Sequence, residues 1–204
     1  MLASSAIIED IDIMRKSGLA SLAFYYCDFR EDQRKDRRGL LSSVLVQLCH
    51  QSNSYRDILS NFYLEHRRGS QQPSDESLVR CLKDLLKMPG KAPVYLIVDA
   101  LDECPNTFAM PSPREKVLML LKELLESDLP NLHLCVTSRP ETDIKAVLSP
   151  LTFRSVSLHD EIGQIEDIDN YIKSAVNTDP KMRSWKAEDK KLVIDVLTKN
   201  ADGM

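Results

Sequence analysis

The stretch VYLIVDALDEC, residues 94–104, sets five largely apolar residues ahead of Asp99, with Asp102 and Glu103 three and four positions further on. A short continuous apolar run of this kind predicts a strand covered on both faces, as in a parallel sheet. Ligands of parallel sheets sit beyond the carboxyl ends of the strands, so the acidic residues stand where a site would be. A carboxylate at a strand tip can hold a magnesium ion through water, because magnesium keeps several of its waters. A second carboxylate nearby can orient or deprotonate an attacking water. The stretch therefore reads as half of a phosphate-handling site, and the rest of the chain is read for the other half.

The flanking pattern is that of an α/β chain. Residues 2–14 place Leu2, Ile7, Ile8, Ile11 and Met14 as a helical stripe. LASLAFYYC, 19–27, predicts a buried strand, and the charged DFREDQRKDRR run, 28–38, a solvated loop and helix entry. Helices are predicted over 39–51 and 55–66. Another follows Ser74 as N-cap, its apolar positions 78, 79, 81, 82, 85 and 86 on one face. The Pro-Gly at 89–90 ends it. Ser112-Pro113-Arg114-Glu115 is a capping box with proline at the first helical position. NLHLCVT, 131–137, is the next strand, TDIKAVL, 142–148, a short helix, and RSVSL, 154–158, an alternating strand. Two charged helices close the chain. Alternation of strands and helices predicts parallel strands joined by crossovers. The change in character near residue 160 divides a core over 1–160 from the start of a helical subdomain over 161–204.

Composition excludes several classes. With 43% hydrophobic and 28% charged residues over 204 positions, the chain has the balance of an ordinary globular domain. A net charge of −4 gives no basic field for nucleic acid, and Trp185 and the six tyrosines form no stacking array. The five cysteines are scattered with no C-x-x-C, which fits buried thiols in a reducing, cytoplasmic compartment. His50, His66, His133 and His159 show no metal-ligand spacing. No apolar run approaches the roughly 18 residues of a membrane span, and no signal peptide opens the chain.

A second strand tip completes the candidate site. Thr137-Ser138-Arg139-Pro140 follows the strand after the acidic one. Thr137 or Ser138 could bond a γ-phosphate or its water, and Arg139 could neutralise phosphate charge. Ser-Arg-Pro alone is a common turn; its position gives it meaning.

With FYYCDFRE (24–31), LLSSVLVQLCHQS (40–52), VYLIVDALDEC (94–104), LHLCVTSRPE (132–141) and DIDNYI (167–172) in this order, the chain resembles a NACHT-type P-loop NTPase of the signal-transduction class, in the nephrocystin-like group abundant in fungi. The resemblance implies a three-layer parallel sheet of the P-loop NTPase type. It makes VDALDE a Walker B segment, with Asp99 organising Mg²⁺ and Asp102 and Glu103 as water-orienting acids. It makes VTSRPE a sensor strand, with Thr137, Ser138 and Arg139 at the phosphate. Magnesium with ATP or GTP would be the ligand of such a domain.

One element is missing. A phosphate cradle of this class is G-x-x-x-x-G-K-[ST], whose backbone N–H groups converge on phosphate. Of the six glycines only Gly90 precedes a lysine, Lys91, and Ala92 follows it. The resemblance places the cradle and the first central strand just before residue 1, between the sensor strand and the last strand of the sheet. The expectation is thus an incomplete NACHT-type domain with Walker B and sensor residues but no tight nucleotide binding or hydrolysis. The alternatives are a non-enzymatic module that self-associates or pairs with full-length relatives, and a truncated gene product without independent function.

Overall fold

The computed structural model describes residues 2–28, 30, 36–88, 92–108, 110–157, 162–182 and 185–200. Pro89 and Gly90, read from sequence as the end of a helix, lie outside the described residues with Lys91, as do the middle of the charged run at 31–35 and residues 158–161 and 201–204. So do the side chains of residues 2, 3, 162–167 and 200.

The chain forms two compact units, residues 1–152 and 153–204. In the first, α1 (Leu2–Lys16), β1 (Ser21–Tyr26), α2 (Arg37–Cys49), α3 (Asn53–Glu65), α4 (Asp75–Leu86), β2 (Val94–Asp99), α5 (Pro113–Glu126), β3 (Leu132–Val136) and α6 (Thr142–Leu148) follow one another. The three strands make one parallel sheet in the order β1-β2-β3. The register aligns Tyr26 with Asp99 and Val98 with Val136, so the carboxyl ends of the strands stand side by side.

Local chemistry explains the helices. Ser112 Oγ accepts from the Glu115 N–H at 3.2 Å and Glu115 returns the bond to the Ser112 N–H at 2.6 Å, the predicted capping box. Ser74 caps α4 through the Ser77 N–H. All six apolar positions predicted for the face of α4 are buried. A fully buried leucine contributes roughly 2 kcal/mol, so α4 is held by this face. On α1, Ile11 is buried and Ile8 and Met14 pack beside it, whereas Ile7, expected on the same stripe, faces solvent. Asp12 bridges to Arg15 and Lys16 on the outer side of that helix.

The sheet has helices on both faces. One face joins Ala23, Tyr25, Val94, Leu96 and Val98 to α2, α4, α5 and α6 in the main core. The other face packs Leu22 and Ile97 against Ile11 of α1. The two edges differ. The free edge of β1 is closed by α2 and the turn that follows it: Gln51, just past the helix, accepts at Oε1 from Leu22 N–H at 2.9 Å and donates from Nε2 to Leu22 C=O at 2.5 Å. Gln47 does the same for Phe24, at 3.0 and 2.7 Å. Two glutamine amides thus act as the next strand. The free edge of β3 pairs with no strand among the described residues.

One predicted element does not form. Residues 154–157 of the expected RSVSL strand are exposed, non-regular chain, and Leu158 lies outside the described residues. Alternation of apolar and polar residues sets which face a strand would bury, but a strand exists only where a ladder partner satisfies its backbone. Residues 154–157 have none among the described residues. The second unit is helical instead: α7 (Ile162–Thr178) packs on α8 (Ala187–Asn200), with Thr198 Oγ1 donating to Asp169 at 3.2 Å. No helix among the described residues is long and apolar enough to cross a membrane.

Candidate functional site at the strand tips

Asp99 ends β2 and is almost wholly buried, at 4% exposure. A buried carboxylate needs partners, and its partner comes from the neighbouring strand: Thr137 Oγ1 donates to Asp99 Oδ1 at 2.5 Å. The same hydroxyl accepts from the Ala100 N–H at 3.0 Å. Thr137 therefore ties the end of β2 to the end of β3 through a single oxygen.

After Asp99 the chain must turn sharply. Ala100 takes the left-handed conformation, φ 55° and ψ 48°, which costs a non-glycine residue about 1 kcal/mol or more. The turn is held on three sides. The Leu101 side chain is fully buried, and its N–H donates to the Thr137 C=O at 3.0 Å. Arg114, at the start of α5, donates from Nε to the Cys104 C=O at 2.9 Å and from a terminal nitrogen to the Asp102 C=O. Its other terminal nitrogen meets Asp143 at 3.3 Å. A cation in the first turn of a helix opposes the helix dipole; here two loop carbonyls and a carboxylate compensate it.

The turn presents Asp102 toward the end of β3. Arg139 donates its backbone N–H to Asp102 Oδ1 at 3.0 Å, and its Nε stands 3.5 Å from Oδ2. The Arg139 side chain is otherwise 84% exposed. Of the sequence-predicted residues, the structure joins Asp99 to Thr137 and Asp102 to Arg139. It leaves two apart. Glu103 is half-buried and makes no side-chain bond or ion pair among the described residues. Ser138 is exposed and donates its hydroxyl to the Arg139 C=O at 2.9 Å, closing a local turn. On the far side of β2, Arg30 grips Asp28 with Nε and a terminal nitrogen, both at 2.9 Å.

Three features go beyond the pattern of the sequence. In sequence Arg114 reads only as part of a helix start; its signal is a cation where the dipole disfavours one. The paired glutamines, Gln47 on α2 and Gln51 just past its end, carry a signal too, amides at i and i+4 in an apolar stretch. The Cys27 and Cys104 thiols meet at 3.2 Å. Their hydrogen bond, together with burial, pushes the Cys27 thiol far above the ordinary thiol range.

The donor set bears on magnesium. Among the described residues no group of three acidic, histidine or cysteine side chains could hold a metal by itself. One buried carboxylate at a strand tip does fit an ion whose other ligands are waters and phosphate oxygens.

Comparison with known proteins gives one family. The model of the family described as nephrocystin 3, N-terminal, matches residues 1–139, which include the whole parallel sheet and Arg139. Neither the curated proteins nor the solved structures give a match. The match spans well over half of the 204 residues, and the chain belongs to the nephrocystin 3 N-terminal family.

Proposed function

We propose that this chain is a nucleotide-binding signalling module of the NACHT type, a relative of the P-loop NTPases, in which Walker B and sensor residues meet across two strand tips. The observation that supports the reading is the pair of cross-strand contacts, Asp99 with Thr137 and Asp102 with Arg139. Both stand at the carboxyl ends of parallel strands, where ligands of such sheets lie. A bound magnesium would neutralise phosphate charge and hold water. Asp99 would orient that ion's waters, and Thr137 fixes the Asp99 carboxylate for the task. Asp102 and Glu103 would take or direct a water proton. Arg139 has the reach to leave Asp102 for a phosphate oxygen.

The 204 residues contain no G-x-x-x-x-G-K-[ST], so the backbone cradle for ATP or GTP is absent from them. What remains is two or three charge-assisted contacts at about 1.5 kcal/mol each, which corresponds to a Kd of roughly 1 mM or weaker. Calorimetric titration of the chain with MgATP and MgGTP should give such weak binding and no useful hydrolysis. A micromolar Kd that Asp99→Ala abolishes would overturn this.

A second reading rests on a different observation, the outer edge of β3, which pairs with no strand among the described residues, whereas the opposite edge of β1 is closed. An open edge is a template for another strand. On this reading the chain is an interaction module that self-associates or pairs with longer relatives. Association indifferent to Asp99→Asn would favour it over the nucleotide reading.

A further inference from the structure

Cys27 is the first residue beyond β1, and Cys104 closes the turn beyond β2. Each is held from its own side. The Cys27 N–H donates to the Asp99 C=O at 3.0 Å, extending the β1–β2 ladder by one step. The Cys104 C=O accepts from Arg114 Nε. Between these two anchors the sulfurs stand 3.2 Å apart, with Cys27 3% exposed and Cys104 not at all. A disulfide bond is about 2.0 Å long, so the gap to close is only about 1 Å. No other thiol pair forms among the described residues: Cys49, for one, donates to the Tyr55 C=O.

We propose that Cys27 and Cys104 form a redox-modifiable dithiol that a small peroxide closes to a disulfide, stapling the β1 exit to the acidic turn of Asp102 and Glu103. The inference does not depend on nucleotide binding. The chemistry balances in two steps. One sulfur attacks a peroxide oxygen, the O–O bond breaks, and the thiol proton leaves with the departing hydroxide as water. The resulting sulfenic acid is then attacked by the second sulfur. The S–S bond forms, the S–O bond breaks, and the second thiol proton leaves with that hydroxide as another water. Two thiols are oxidised and one peroxide is reduced to two waters. Burial keeps bulky disulfide oxidants from the sulfurs, which selects a small peroxide. In a reducing compartment the pair stands as thiols and the disulfide is transient.

The test uses the folded 204-residue chain and hydrogen peroxide, with peptide mapping by mass spectrometry under non-reducing conditions. The expected result is a monomer that loses two of its five thiols and two hydrogens of mass. The linked peptides should contain Cys27 and Cys104, and dithiothreitol should restore both thiols. Amides of residues 101–104 should exchange more slowly in the oxidised chain. Oxidation of Cys49, Cys81 or Cys135 ahead of this pair, or a Cys27–Cys104 link that forms only in denaturant, would overturn the proposal. Unchanged exchange at 101–104 in the linked chain would overturn the staple. Cys104→Ser should abolish the link while leaving the other three thiols as they were.

Discussion

A single hydroxyl, that of Thr137, donates to a buried carboxylate and accepts from the N–H of a left-handed alanine. Losing it would strand both partners. Thr137→Val should therefore destabilise the fold by about 2 kcal/mol, while Thr137→Ser keeps most of that. Urea denaturation of the three proteins measures it, and a valine variant as stable as the parent would refute the role. A second residue gives a pH dependence. Burial pushes the Cys81 thiol up from 9.0 to about 12. Below pH 9 folded and unfolded chains both keep this proton. Above it the unfolded chain releases the proton and the folded chain does not, so stability is lost as pH rises toward 12. Denaturation midpoints should fall across that window, and Cys81→Ala should flatten the fall; parallel slopes would rule it out. At this scale Asp99, Asp102, Thr137 and Arg139 were legible because strand-tip chemistry is local in sequence. The Cys27–Cys104 contact was not, because 77 positions separate its partners, and no local pattern encodes a distance of that kind.

Elements were legible where their signals are self-contained. The Ser112–Glu115 box and the apolar face of α4 specify a start and a buried side without reference to anything distant. RSVSL had only alternation, which does not supply a partner, and its described residues form no strand. The edge of β1 shows the complementary case, a strand completed by helix side chains rather than by another strand. Gln47 of α2 and Gln51 just past its end each make two bonds to that edge. Replacing Gln47 and Gln51 together by alanine should cost roughly 2–3 kcal/mol and expose a second sheet edge to pairing. Thermal unfolding with light scattering reads both effects. A double variant with unchanged stability and no added self-association would show that the amides are dispensable.

At the scale of the molecule, the fold brings one end of a parallel sheet to a point. Tyr26 lies beside Asp99, and Thr137 donates its N–H to the Val98 C=O at 3.0 Å, so three chain exits meet at one rim. Asp99 is already bonded to Thr137 and Asp102 to Arg139, which orders these groups without a ligand. The nucleotide proposed at this rim would meet these paired groups, and without a glycine cradle among the 204 residues it would bind weakly. The most direct test of that account is the paramagnetic effect of Mn²⁺–ATP, a probe that reports weak binding at known positions, on the backbone amide signals of the chain. The account predicts broadening concentrated at residues 99–104 and 137–139, unsaturated below millimolar nucleotide and lost in Asp99→Asn. Broadening elsewhere, or none at the rim, would contradict it.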